Sequence, residues 1–458
     1  MARHPLLWVL VAGAAVRLLL WFYWRDLPLN IDDEQSYDQL ARGLLNASAY
    51  VDEHGHPTSL RPPLYPFAVA LIYSICGGSH LGAVRAIQAA ISMLTIVATY
   101  RLGRIAFGSR VGLWGAASAC FYPSLLGFNN LVLSETLFTF LLVATTLVCV
   151  EAMHRGSFSL LIAAGTLLGL AALTRSIMVL FAPLLAMIIV CSWRDGGLRR
   201  WLAGAVPVAA VALVIAPWSY RNSRLQETFV VIDVMGGRNA MMGNYEYTPL
   251  ERSWATISLV QGERAWHTVL AHETPGYHQL TQGQRDKLAL RHAVGYVLDH
   301  PLLTAKRDLV KFFNFWQLER SLLARAKEGF FGQVSGAGLL VASCTICGSY
   351  AAAILLGIFG LFLCRPVARS FHWLFVAQIL FPCAIHTLVF AHERYHLPIM
   401  PFVLLYAAAA CLNVRQIWQR RCSWSFWLAV VSCAVLVLAW LREMVFVDFA
   451  NVVEIVGH

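Results

Sequence analysis

Apolar residues run along this chain in blocks about twenty residues long, separated by short polar turns. Such blocks cover residues 5–24, 81–107, 111–128, 131–150, 158–173, 176–193, 199–217, 336–364, 371–391, 397–413 and 424–441. A hydrocarbon core of about 30 Å is crossed by roughly 20 apolar residues of helix. The pattern therefore predicts about eleven membrane-spanning helices. The first block does not read as a cleavable signal. No small-residue cleavage site follows it, and WFYWRDLPLN (21–30) sets an aromatic belt at its exit.

Two stretches between blocks are long enough to carry structure outside the membrane, residues 25–80 and about 218–335. In the first, Tyr37, Leu40, Ala41, Leu44 and Leu45 recur at helical spacing, which predicts a helix lying along the interface. In the second, QRDKLALRHAVGYVLDH (284–300) and PLLTAKRDLVKFFNFW (301–316) read as helices, with Pro301 suited to a first turn. Leu309, Phe312, Phe313 and Trp316 fall on one face, as an interfacial helix requires. There is no tandem repeat or low-complexity tract, so residues 1–458 read as one membrane unit closed by C-terminal spans in 336–458.

Composition agrees: 58% of residues are hydrophobic and 13% charged, with a mean hydropathy of +0.61. The fold class expected is an all-α polytopic membrane protein. Arginine sets its orientation. RLGRIAFGSR (101–110), MHRG (153–156), WRDGGLRR (193–200), CRPVARS (364–370) and NVRQIWQRR (413–421) are cationic. The alternate turns, GFNNLVLSE (127–135), LTRS (173–176) and HERYH (392–396), are nearly bare of positive charge. Cationic short loops mark the cytoplasmic side, so the amino terminus is inside and the first long segment outside. Much of the net charge of +10 is thus topological and gives no case for nucleic acid. The eleven cysteines fall mostly in spans, where the residue behaves as a small apolar one, and CTIC (344–347) lies within a block. The sequon NAS (46–48) matters only in a pathway that glycosylates it.

Candidate chemistry gathers at the outer face. Asp32, Asp33 and Glu34 open the first interfacial helix, where the exposed amides favour negative charge. One of the two aspartates suffices as an N-cap, which leaves the others unexplained. RPPLYP (61–66) puts a cation before rigid backbone, and Glu135 stands near Asn129 and Asn130 in a short outer turn. Acids and arginines at the outer ends of several helices can converge on one cleft, where an anionic ligand and a proton transfer would use both.

These segments resemble the GT-C membrane glycosyltransferases of the protein O-mannosyltransferase and aminoarabinose lipid A transferase kind. DDEQSY (32–37) is similar to the D-E-x-x-Y motif, RPPLYP to an R/K-P-P-x-Y segment, and LSETLF (133–138) to the second acidic motif. ALTRS (172–176), PWSYRN (217–222), GGRNAMMGN (236–244), DHP (299–301) and ERYHLPIMPF (393–402) have counterparts in order. The resemblance implies a GT-C fold with about eleven transmembrane helices and extracytoplasmic juxtamembrane helices. It implies transfer, with inversion, of a sugar from a polyprenyl-phosphate donor to a protein, lipid A or cell-envelope glycan. The enzyme would sit in the plasma (inner) membrane among its lipids and work on the extracytoplasmic face. Carried over by motif, Asp33, Glu34 and Glu135 are catalytic, with Asp33 the base that deprotonates or positions the acceptor. Arg61, Arg175, Arg221 and Arg394 bind the donor phosphate, to which a guanidinium fork is suited. Tyr37, Tyr65 and Asn244 bind substrate. No obligatory cofactor is implied, and a divalent metal stays open. The aminoarabinose branch carries an acid just before its K-P-P segment, whereas this chain has Leu60, which weakens both a metal bound as in that branch and that sugar.

Two rivals differ in mechanism. HERYH (392–396) fits H-E-x-x-H, in which His392 and His396 would bind zinc and Glu393 would activate water. Pro398 and Pro401 follow at once, with no clear third ligand. A transporter or lipid flippase would place ionisable groups or broken helices at mid-membrane depth, whereas these charges gather at helix ends.

A reporter fused after Gly262 is expected outside and one fused after Gly197 inside. Fusion to a phosphatase active only outside the cytoplasm checks this, and the reverse pattern would invert the orientation read from arginine.

Overall fold

The computed structural model describes residues 5–447. Every regular element among them is helical, apart from one isolated β-bridge between Val51 and Pro57. Eight helices are long and apolar enough to cross a membrane: Pro5–Trp24, Leu81–Phe107, Glu135–Arg155, Gly197–Leu225, Gly336–Leu363, Arg369–Leu388, Glu393–Leu412 (its first turns 3-10) and Trp424–Phe446. Eleven were expected, and the other three apolar blocks form shorter pieces. Block 111–128 splits into Ser109–Cys120 and Pro123–Phe128, where Pro123, which has no amide hydrogen to donate to the turn before it, takes the first position of the second helix. Block 158–173 gives only Phe158–Ala172, and block 176–193 starts as a 3-10 turn, Ser176–Leu180, before Phe181–Ser192. Gly197–Leu225 overruns its expected end by eight residues, Pro217 notwithstanding, and carries Arg221 beyond the apolar block.

Leu81–Phe107 packs on Ser109–Cys120 and on Glu135–Arg155, and Phe158–Ala172 lies along Gly197–Leu225. Small residues permit close approach, as helix association in lipid requires. A Cβ on Gly165 would sit 2.5 Å from the Pro207 carbonyl oxygen, and one on Gly360 would sit 2.0 Å from that of Tyr406. Glu135–Arg155 and Met400–Leu412 are buried on most sides, whereas Pro5–Trp24 and Trp424–Phe446 lie at the periphery.

Within residues 25–80 the expected helix forms, Asp32–Ala47, with Tyr37, Leu40 and Ala41 buried. Buried Arg85 fixes its approach by donating to the carbonyls of Asn130 (2.8 Å), Arg25 (2.7 Å) and Leu27 (2.9 Å). Gln88 donates to the Asn129 and Leu131 carbonyls at 2.9 and 2.8 Å, which shapes the turn leading to Glu135. Within residues 218–335 the expected helices form as Gln282–Asp299 and Pro301–Phe315. Leu309 and Phe312 on the latter are exposed, but Trp316 turns into the core, so the four residues do not share one interfacial face. A short helix, Gly236–Gly243, packs so closely on Gln282–Asp299 that a Cβ on Gly237 would lie 1.8 Å from the Asp286 carbonyl oxygen. Met241, Tyr245, Leu270, Tyr277 and Ala289 give this segment a small core of its own.

Gly360→Ala is expected to force two central helices apart and to cost about 1–3 kcal/mol, the usual range for overpacking. Thermal unfolding in detergent should show the loss, while Gly348→Ala, whose Cβ meets nothing within 4 Å, should leave the midpoint near that of the parent.

Candidate active site

The three opening acids of Asp32–Ala47 have three different fates. Glu34 is wholly buried and staples the helix start: one oxygen accepts from the Val132 amide at 2.7 Å and the other from Ile31 at 3.3 Å. Burial raises its pKa against the pull of these amides. Ile31, not an aspartate, is the N-cap residue, and Glu34 accepts from its backbone amide. The cap expected of Asp32 or Asp33 is thus met by Glu34, which frees both aspartates, and Glu34 does not line the cavity described next. Asp32 and Asp33 do.

That cavity, about 530 Å³, opens between the ends of several helices. Asp33 accepts from Arg61 Nη2 at 2.6 Å with one oxygen and from Arg394 Nη2 at 2.5 Å with the other. Arg394 also lies 3.8 Å from Glu135 through Nε, and Glu135 meets Arg175 Nη2 at 2.7 Å. A chain of alternating charge, Arg61–Asp33–Arg394–Glu135–Arg175, therefore crosses the floor, with Glu135 only 2% exposed. Aromatic rings hold the cations: Arg61 stands over Tyr37 at 5.4 Å, and Arg175 over Phe138 and Tyr395 at 5.4 and 5.6 Å. Burial would raise the Asp33 carboxyl, but Arg394 and Arg61 overcome it and hold the group well below the usual carboxylate range. A carboxylate held so low is a strong hydrogen-bond acceptor and a weak proton acceptor.

Of the expected site residues, Asp33, Glu135, Arg61, Arg175, Arg394 and Tyr37 are brought together here. Tyr65, Arg221 and Asn244, like Glu34, are absent from the lining. Tyr65 packs edge-on against Tyr37 and donates to Gln88 at 2.8 Å. Arg221 donates to the Thr58 and Tyr50 carbonyls at 2.9 and 3.3 Å and stacks on Trp218, clasping the 25–80 segment. Asn244 donates to Ala240 and Leu388 carbonyls, both at 3.0 Å, and accepts from Lys311 at 2.8 Å. Sequence reasoning passed over Asp233, Arg238, Asn239, Trp254 and His386, which line the same cavity. Arg238 and Asn239 stand within GGRNAMMGN, and a polar residue closing the apolar run FVVI was the only signal for Asp233.

His392-Glu393-x-x-His396 does not form the continuous helix that a zinc pair one turn apart needs. His392 is extended, and two 3-10 turns, Glu393–Tyr395 and Leu397–Ile399, follow. Glu393 is consumed by Gln317, the Arg320 amide at 3.0 Å and Ser321 at 2.7 Å. His396 donates through Nδ1 to the Phe315 carbonyl at 2.6 Å, with Nε2 3.1 Å from Glu319. Burial, with Arg394 nearby, pushes the His392 imidazole down to about 4, so it is neutral at pH 7. Among the described residues no group of three or more His, Cys, Asp or Glu could hold a metal ion. With Leu60 in place of an acid and both floor carboxylates engaged by arginine, these residues do not fit a metal bound as in the aminoarabinose branch.

A family model described as dolichyl-phosphate-mannose-protein mannosyltransferase matches residues 60–220. Archaeal oligosaccharyltransferase AglB from Archaeoglobus fulgidus, in complex with an inhibitory peptide and a dolichol-phosphate, superimposes with a TM-score of 0.52 at 14% identity, over 95% of this chain and 54% of that one. Its apo form gives 0.52 at 15% identity with the same coverage. This chain has the GT-C glycosyltransferase fold. It spans about half the length of these archaeal enzymes. ArnT from Cupriavidus metallidurans bound to undecaprenyl phosphate aligns over 89% of this chain and 77% of its own, with a TM-score of 0.43 at 15% identity. Among curated proteins no significant match was found.

Glu34→Ala leaves two backbone amides without acceptors and is expected to cost about 1–3 kcal/mol per orphaned group. Asp32→Ala, at an exposed position, should cost far less, and paired thermal melts of the two variants test the difference.

Proposed function

We propose that this chain is an inverting glycosyltransferase that moves a sugar from a polyprenyl-phosphate donor to an acceptor on the extracytoplasmic face of the plasma (inner) membrane. The observation that carries this reading is Arg394, whose guanidinium joins Asp33 to Glu135 on the floor of the outer cavity. In the free protein the two carboxylates act as counter-ions to Arg61, Arg175 and Arg394. A lipid phosphate offers the same planar forks a better-matched anion. Five arginines line the cavity against four carboxylates, so an anionic ligand relieves an excess of positive charge. The family description and the ligand of the first archaeal complex both name a dolichyl phosphate, which supports a polyprenyl-phosphate donor for this chain.

The chemistry follows from the charges. The acceptor oxygen or nitrogen approaches the anomeric carbon from the face opposite the phosphate and forms the new bond there. The bond from that carbon to phosphate oxygen breaks, and its electron pair leaves with the lipid phosphate, where arginine donors meet the growing charge. Asp33, ionised at any ordinary pH, accepts a hydrogen bond from the acceptor and faces the positive charge that builds on the sugar ring. Glu135 keeps Arg175 and Arg394 aimed at the phosphate. Acceptors of three kinds remain consistent with this site: protein, lipid A and envelope glycan.

Arg394→Ala is expected to weaken binding of undecaprenyl phosphate, used as the probe on purified protein in nanodiscs. A charge-assisted contact is worth about 1.5–3 kcal/mol, or roughly ten- to a hundredfold. Arg394→Lys should restore only part, and Glu393→Gln should leave binding near that of the parent. Mass spectrometry of envelope lipids and glycans from cells with and without the protein should reveal one missing sugar linkage. A chelator-sensitive protein that tolerates Arg394→Ala but not Glu393→Gln would overturn the reading in favour of zinc hydrolysis.

A further inference from the structure

Transfer to a hydroxyl or amine releases a proton that a group in the cavity must take. Asp33 and Glu135 are each held by arginine, and His392 is a weak base. Two further acids line the same cavity: Asp32, exposed at the opening of the helix Asp32–Ala47, and Asp233, below an anchored stretch of backbone. We propose that Asp233 takes the proton from the acceptor during transfer. This assignment rests on the glycosyl-transfer reading above and deepens it.

Residues 230–235 are pinned from several sides. Trp218 Nε1 and Asn222 Nδ2 both donate to the Ile232 carbonyl, at 3.1 and 2.6 Å. Ser219 donates to the Val230 carbonyl at 2.8 Å, and the Val234 amide to the Ser59 carbonyl at 3.1 Å. The Met235 amide closes the turn on Asp233 Oδ1 at 3.1 Å. The carboxyl is thus held on a rigid wall, and its accessible face opens into the cavity that also holds Asp33 and Arg61. Unlike Asp33 and Glu135, it forms no ion pair within the described residues.

Charged and titratable groups reach it from three sides: Arg61 on the first outer segment, Asp286 on Gln282–Asp299, and Tyr50. Burial pushes its pKa up to about 6, and Asp286 adds to this. The Ser176 hydroxyl, the Met235 amide and Arg61 pull the other way. Such a group is mostly ionised at pH 7 yet retains real proton affinity, the compromise that general-base catalysis favours. As the acceptor O–H or N–H attacks the anomeric carbon, its proton passes to a carboxylate oxygen of Asp233. The leaving pair goes to the lipid phosphate, and the carboxyl later releases its proton to water.

The test uses the full-length protein and Asp233→Asn. Undecaprenyl phosphate binding by the variant should match the parent. Formation of the sugar linkage, followed by mass spectrometry in cells lacking the native gene and expressing the variant, should fall by roughly 10²–10⁴-fold. A second readout separates a titrating acid from a merely structural one. Because the folded state holds the Asp233 proton more tightly than the unfolded chain, the parent loses stability as pH rises from about 4 through about 6, and the variant does not. The melting temperature of the variant relative to the parent should therefore climb across that window and level off above it. A variant that keeps parental product levels, or a difference in melting temperature that is flat with pH, overturns the assignment of Asp233 alone. If the parent itself fails to bind undecaprenyl phosphate and its loss removes no sugar linkage, the glycosyl-transfer reading falls and takes this assignment with it.

Discussion

The bridge that Arg394 makes between Asp33 and Glu135 is the contact on which the arrangement of the cavity depends. It ties the start of Asp32–Ala47 to the start of a central span and to the turn after Arg369–Leu388. None of these elements could bring its charge to the site alone. Asp33 is placed by a helix whose origin Glu34 fixes to Val132, and Val132 belongs to the turn that Gln88 and Arg85 shape from below. Removing Asp33 would leave Arg61 without its carboxylate, and removing Glu135 would do the same to Arg175.

Such an arrangement is a poor way to gain stability. Taking ions out of water costs several kcal/mol each, and their mutual attraction often only offsets this. Well-packed apolar residues would close the same space at lower cost. Its retention at the mouth of a cavity, with more arginines than carboxylates, is better understood as preparation for an incoming anion. The aromatic rings beside Arg61 and Arg175 support this by holding the guanidiniums in place without neutralising them. The site is thus arranged before any ligand arrives, which lowers the ordering cost of binding.

The wall opposite has different physics. Asp233 is held among packed backbone and, among the described residues, forms no ion pair, so burial outweighs the more distant pull of Arg61 and disfavours its charge. Two carboxylates in one cavity are driven apart in proton affinity, Asp33 downward by arginine and Asp233 upward by burial. Environments that separate two acids in this way divide an orienting role from a proton-accepting one.

Local pattern was enough for much of this. Apolar period and block length determined that the chain is a helical membrane protein, and the amphipathic stretches at 32–47, 282–299 and 301–315 follow from helical spacing alone. The motif types named Asp33, Arg61, Glu135, Arg175 and Arg394 correctly as neighbours, although Arg394 and Asp33 stand 361 positions apart. The same reasoning took Arg221 and Asn244 for ligands, because a residue's type tells what it can bond and not which way it points. Tertiary packing turned those two toward backbone carbonyls. It also decided which of three consecutive acids became a buried staple, broke block 111–128 at Pro123, and unwound the turn that a zinc motif would need. Asp233 was the least legible of all. Its chemistry comes from burial, which outweighs the pull of Arg61, and that is a property of surroundings assembled from distant parts of the chain.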